Sequence, residues 1–387
     1  MVLGRSLSPS IVLFSRRCRM LQTVCFLLVS CTQQESDVAP SSQNISRQSF
    51  DGSPAGPEFQ VVNLVRYRTI DGTQNNISEP EMGAERTRLP RMAPAAYSDG
   101  INQMAGLTRR SAREISNILA AQANESLPNP HGVSDWLWQW GQFIDHDMSL
   151  TDGIIDDFPG AGQDANDIPV PTGDPFFDPA GTGTQFIAFH RAVFDPSSEI
   201  LGPREQLNEI TSWIDASHVY GSNIRRARAL RLLDGTGRLK TSAHGLMPYN
   251  KNNLPNANGP APDPTKLFLA GDVRANEQLG LAAVHTLFVR EHNRLARLLA
   301  RAHPDWDGET IYQEARRIVG AEMQHITYNE FLPALLGKPL PQYRGYHAAT
   351  HGAVMNEFSA AAFRFGHSAL SPVLLLADHR GPVAELP

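Results

Sequence analysis

The sequence predicts a mainly α-helical fold with long ordered loops and little β structure. Three observations carry that expectation. Apolar residues recur at helical spacing through six segments, the first of these opens with a capping box, and Gly/Pro-rich stretches separate the others. With 387 residues, 41% of them hydrophobic and 19% charged, the chain has the apolar content to bury a core.

At the amino end, Arg16, Arg17 and Arg19 precede the apolar run Leu21–Ser30. A charged region followed by an apolar stretch too short to span a bilayer is the arrangement of an export signal, here over residues 1–31, with Met20 as an alternative start. Leu28-Val-Ser-Cys31 resembles a bacterial lipobox, whose cysteine is acylated after cleavage. Cys31 is therefore a candidate lipid anchor to a membrane, and a plain leader cut elsewhere is the alternative. The expected location is exported, either secreted or held at the cell surface or the periplasmic side. From Thr32 to Pro57 the composition turns to Ser, Gln, Asp, Pro and Gly, a solvated tether with too little apolar surface to offset the entropy of ordering. A folded domain is expected over residues 58–387.

Within that domain the helical segments are read as Ser111–Ala123, with Ser111 and Glu114 as the capping box, and Asp135–Asp147, where Trp136, Trp140 and Phe143 form a core face. Four more follow at Asn223–Leu233, Asn276–Ala302, Thr310–Leu335 and Asn356–His367, with Gly/Pro-rich connections at Asp157–Gly183 and Asn250–Asp263.

Composition also excludes function classes. Thirty-four basic against 40 acidic residues leave a net charge of −6, without the basic excess that a phosphate backbone demands, so nucleic acid is not an expected partner. The three cysteines, Cys18, Cys25 and Cys31, all lie near the amino end and no CxxCH is present. Zinc-finger, thiolate-haem and c-type haem readings fall away, and any metal must be held by His, carboxylate or other oxygen ligands.

The second helical segment carries the first candidate site. Gln142, Asp145 and His146 are spaced i, i+3 and i+4, so they project from one side of a helix that also buries aromatics. Such a cluster either satisfies a core network or lines a site. The string Trp140-Gly-Gln-Phe-Ile-Asp-His-Asp147 resembles the distal motif of the animal haem peroxidases, the myeloperoxidase-like superfamily. The resemblance implies that family's fold, and haem b as cofactor. It implies that His146 takes a proton from peroxide and returns it to the leaving oxygen, a task suited to imidazole because its pKa lies near neutrality. It further implies that Gln142 orients the peroxide and that Asp145 forms an ester with a haem methyl group. Adjacent helical residues diverge by about 100°, so Asp145 can meet the ring edge while His146 stands over its face.

Asp147, about 100° further round, can point away from that face and needs a counter-charge if buried. Thr211-Ser-Trp213-Ile-Asp215-Ala-Ser217 offers hydroxyl, carbonyl, carboxylate and hydroxyl oxygens at alternate positions, which suits a hard cation, although alone it also reads as an ordinary polar turn. The resemblance implies one Ca2+, bound by the side chains of Asp147, Thr211, Asp215 and Ser217 and by the Trp213 carbonyl.

Ala270-Gly-Asp-Val-Arg274-Ala-Asn-Glu277 precedes the long fourth helix and places Arg274 on a loop and Glu277 in a first helical turn, where a solvated carboxylate is the plain alternative. The resemblance implies that Arg274 polarises the peroxide bond as charge builds on the departing oxygen. It gives Glu277 the second haem ester. Gln278 stands where myeloperoxidase itself carries a Met bonded to a haem vinyl group, so no such link is expected. His285 and His292, further along the helix, are read as structural.

Phe363-Arg364-Phe365-Gly366-His367 resembles the proximal segment, in which His367 would bind the haem iron and Arg364 would meet a propionate; a helix-terminal His capping carbonyls is the alternative. Gly366 permits close approach of backbone to the macrocycle. The family continues through further helices, among them the Asn that accepts from the proximal imidazole, so the domain at 58–387 is expected to be without its C-terminal helices. The implied function is a haem peroxidase that reduces hydrogen peroxide and oxidises a small donor, whether halide, thiocyanate or phenol. The rivals are a non-catalytic, calcium-stabilised surface adhesion module and a fatty-acid dioxygenase. The dioxygenases carry a radical-forming Tyr at the position of Arg364, which speaks against the last.

Overall fold

The computed structural model describes residues 67–122, 127–153, 164–257, 263–378 and 381–386. The leader, Cys31 and the tether lie outside the described residues. Helix α1, Ala112–Leu119, opens as expected, with the Ser111 hydroxyl accepting from the Glu114 amide at 3.1 Å. Glu114 does not complete the box but pairs with Arg110 at 2.5 Å. The helix stops at Leu119, short of Ala123, because none of its residues is buried. Without packing, so short a helix has little to extend it.

Helix α2, Trp136–Met148, buries Trp138, Trp140, Phe143 and Ile144 together with Asp145, His146 and Asp147. Trp138 takes the core position expected of Trp136, which is only half-buried. Two short helices, α3 at Ser198–Leu201 and α4 at Ser217–Tyr220, precede α5, Ile224–Leu230, whose Asn223 cap accepts from the Arg226 amide at 2.9 Å. That helix ends before Leu233 because Arg231 turns extended and bridges to Leu239.

Helix α6, Leu279–Ala302, starts later than Asn276. The Gln278 side chain caps it by accepting from the Gly280 amide at 2.6 Å, which leaves Glu277 outside the first turn. The core is centred where α6 meets α2. Phe288 stacks on Phe143 at 5.4 Å and lies 6.0 Å from Trp140. Burying each such side chain contributes roughly 1.5–3 kcal/mol.

Helix α7, Gly308–Ile326, packs on α6 and is capped by Asp307, which accepts from the Thr310 amide at 2.7 Å. The single segment expected at Thr310–Leu335 is interrupted by a π turn at Thr327–Phe331 before α8, Leu332–Leu336. Pro333 explains the interruption, since it lacks an N–H and its ring crowds the carbonyl four residues back. Helix α9, Asn356–Ala360, likewise does not run on to His367; a 3₁₀ segment, Ala362–Ala369, follows a break at Ala361. The Arg364 side chain donates Nε to the Ser359 carbonyl at 2.8 Å and so takes the acceptor a continuing helix would use.

The described strands form three two-stranded antiparallel pairs: β1 (Ile168–Pro169) with β2 (Phe186–Ile187), β3 (Phe194–Asp195) with β4 (Glu205–Gln206), and β5 (Leu374–Asp378) with β6 (Gly381–Leu386). The last hairpin was not foreseen from the sequence. Among the described residues, no helix is long and apolar enough to cross a membrane.

Candidate active site

The site is assembled from the middle of α2, the loop before α6 and the 3₁₀ segment. Gly271 lets the loop reach its place: a Cβ there would sit 2.2 Å from the Ser217 carbonyl oxygen, so only glycine fits. The loop is further pinned by the Asp272 amide, which donates to the His218 carbonyl at 2.9 Å.

From this loop Arg274 enters the buried space behind α2. Its amide and Nε both donate to Asp272 Oδ1 at 2.8 Å, and its Nη2 donates to Asp272 Oδ2 at 2.8 Å and to the Ser149 carbonyl at 2.9 Å. Burial alone would raise the Asp272 carboxyl, but Arg274 and His146 outweigh it and hold the group well below the usual carboxylate range.

His146 lies beside this pair, with Nδ1 3.7 Å from Asp272 Oδ1 and Nε2 3.9 Å from Glu277 Oε2. Burial, reinforced by the Arg274 charge, pushes its pKa well below 6.5, so the imidazole is a neutral base at neutral pH. Nδ1 has no hydrogen-bond partner among the described residues. The Gln142 amide donates to Glu277 Oε2 at 2.7 Å and accepts from Gln278 Nε2 at 3.0 Å. Burial raises the Glu277 carboxyl against the pull of Arg274.

Asp145 is nine-tenths hidden, with Oδ2 3.4 Å from Arg364 Nη1 and 3.9 Å from Arg274 Nη1, and Oδ1 accepting from Ser149 Oγ at 3.2 Å. Burial raises its pKa despite both cations. The structure thus brings Gln142, Asp145, His146, Arg274, Glu277 and Arg364 together. His367, three residues past Arg364, is exposed, and its imidazole has no hydrogen-bond partner among the described residues. A neutral base, a guanidinium, an amide and two carboxylates thus lie together, and the adjoining segment carries an imidazole of the kind that ligates haem iron.

On the far side of α2, Asp147 is fully buried and accepts from the Asp215 and Ala216 amides at 3.1 and 3.0 Å and from Ser217 Oγ at 2.9 Å. Thr211 Oγ1 donates to Asp215 Oδ2 at 3.1 Å, while the Trp213 carbonyl accepts from the Asp215 amide at 2.9 Å. Burial first, and then the Asp147 charge, push the Asp215 carboxyl up to about 7. The oxygen-bearing side chains of Asp147, Thr211, Asp215 and Ser217 are of the kind a hard cation such as Ca2+ takes.

Sequence reasoning missed two residues. Asp272 sits two positions before Arg274, and its signal was a lone acid inside the motif. His218 follows Ser217 directly and places Nδ1 2.8 Å from Asp147 Oδ1. His292 is structural, as expected: its Nε2 donates to the Gly237 carbonyl at 2.9 Å, so its Nδ1 accepts from the Tyr220 hydroxyl at 2.9 Å. His285 is fully buried, edge-on to Phe143 at 5.0 Å.

The mainly helical architecture and this set of residues agree with the haem-peroxidase type of fold. Comparison with known proteins agrees: the Animal haem peroxidase family model matches residues 67–386, and the chain belongs to that family. It is 38% identical over 350 residues to the mouse protein named Peroxidasin homolog, an alignment spanning 81% of this chain and 24% of that protein. It is 36% identical to Peroxidase mlt-7 of Caenorhabditis elegans, across 81% of this chain and 44% of that protein. Among solved structures, Peroxidase A from Dictyostelium discoideum superposes with a TM-score of 0.75 at 32% identity, covering 84% of this chain and 64% of that one. An Arabidopsis thaliana fatty acid alpha-dioxygenase shares the fold at a TM-score of 0.64 and 18% identity, across 83% of this chain and 51% of that one. The chain spans about a quarter of the length of the peroxidasins it matches.

Proposed function

We propose that this chain reduces hydrogen peroxide at a haem b and passes the oxidising equivalents to a small donor, a halide, thiocyanate or phenol. The observation that carries the reading is the buried imidazole of His146, 3.7 Å from the Asp272 carboxylate that also fixes the guanidinium of Arg274. His367 would hold the iron, Asp145 and Glu277 would be the ester partners, and Arg364 would turn to a propionate. When bound, haem supplies the electrons that break the O–O bond.

The chain's own residues manage the proton and the charge. Nε2 of His146, the ring nitrogen on the Glu277 side, takes the proton from one peroxide oxygen and delivers it to the other, which leaves as water. Arg274 faces the negative charge that develops on the departing oxygen, and its orientation is set in advance. The Gln142 amide, held by Gln278, orients the peroxide. Asp147, Thr211, Asp215, Ser217 and the Trp213 carbonyl would bind one Ca2+ and so fix the far side of the helix that carries His146.

Haemin titration tests the reading. A Soret band saturating at one haem per chain is expected, and after turnover with peroxide the haem should resist extraction by acid acetone. Absence of a Soret band would contradict the assignment and favour a binding module on the same fold, whereas freely extractable haem would remove the two esters.

A further inference from the structure

We propose that Asp272 is a positioning residue for peroxide cleavage, holding the guanidinium of Arg274 in a single orientation. The Asp272 side chain is 1% exposed and spends both oxygens on Arg274: Oδ1 takes the backbone amide and Nε, and Oδ2 takes Nη2, all at 2.8 Å. The Ser149 carbonyl takes a second bond from Nη2 at 2.9 Å. Nη1 is then the guanidinium nitrogen with no hydrogen bond among the described residues, 3.9 Å from Asp145 Oδ2.

An arginine left to itself loses considerable side-chain entropy when it is fixed. Asp272 has removed that freedom before substrate arrives, and it sits on a loop that is itself immobilised by Gly271 and the His218 carbonyl. The same carboxylate is the largest electrostatic partner of a buried guanidinium whose other acidic neighbours, Asp145, Asp152 and Glu277, make no hydrogen bond to it among the described residues. Asp272 reaches the reaction through Arg274, which is what separates it from the base His146 and the amide Gln142.

The proposal rests on the reading of Arg274 as the donor to peroxide, and a double-mutant cycle separates the two. Wild type, Asp272→Asn, Arg274→Gln and the double variant are loaded with haem, and the rate of the Soret change on mixing with hydrogen peroxide is measured by stopped flow. Asp272→Asn keeps the volume but loses the charge, and is expected to slow the reaction by about 10- to 100-fold, as expected for a displaced positioning group. In the Arg274→Gln background the same change should cost less than about twofold, because the residue through which it acts is gone. Fluoride affinity of the ferric protein, read from its visible spectrum, gives a readout free of turnover and should weaken in Asp272→Asn by about tenfold, or roughly 1.4 kcal/mol.

A full-rate Asp272→Asn protein, or an equal loss in both backgrounds, overturns the proposal. An unchanged rate in Arg274→Gln would instead overturn the peroxide reading of Arg274. If Asp272→Asn fails to take up haem, the stranded Arg274 charge is the expected cause, and the double variant should recover loading. A double variant that also fails makes Asp272 a structural residue and overturns the proposal.

Discussion

Arg364 Nη1 lies 3.4 Å from Asp145 Oδ2. The segment that carries His367 is thereby tied to the helix that carries His146, through the two residues that family resemblance assigns to a propionate and to an ester. Because the Arg364 side chain is 38% exposed, the pair contributes no more than about 1 kcal/mol to stability. Arg364→Gln should therefore leave the melting temperature within a few degrees of wild type while weakening haemin uptake by about tenfold in a Soret titration. Uptake equal to wild type would show that Arg364 has no part in holding the cofactor.

Acid should destabilise the fold through its buried histidines. Burial depresses the pKa of His285 to about 3 and of His292 to about 4, whereas the unfolded chain binds those protons near 6.5. The stability these neutral rings contribute is fully present above pH 6.5, declines as pH falls below it, and is gone below the folded values. Each contributes a slope of about 1.4 kcal/mol per pH unit in that window. His292→Gln keeps an acceptor for Tyr220 and a donor for Gly237, and urea unfolding between pH 6.5 and 4.5 should show its dependence reduced by one proton. An undiminished slope would contradict the assignment.

Calcium should act on the fold rather than on the peroxide chemistry. At a free concentration a hundred times its dissociation constant, one bound ion adds about 2.7 kcal/mol. EGTA treatment should therefore lower the melting temperature of the wild type, and Asp215→Asn should abolish the difference between calcium and EGTA. A calcium shift that survives in Asp215→Asn would place the ion elsewhere.

The distal half of the site was legible in the sequence because it is local. Gln142, Asp145 and His146 lie within one helical turn of each other, and helical spacing alone puts them on one side. Arg274 and Glu277 were reached only through family resemblance, since what they face is decided by Gly271 packing against Ser217, a long-range contact with no local signature. The boundaries failed where side chains compete with the backbone. Gln278 caps α6 and excludes Glu277 from it, Arg364 takes the Ser359 carbonyl and breaks the last helix, and Pro333 forces the π turn. Asp272 went unnoticed because an acid two residues before an arginine is common, and only its burial gives it meaning.

His146 is the base of the proposed peroxide cleavage. Haem-loaded His146→Ala should match the wild type in Soret absorbance per chain and react with hydrogen peroxide about 10²- to 10⁴-fold more slowly by stopped flow, the range that a positioned acid–base group contributes. A rate equal to wild type at equal haem content would show that His146 is not the base.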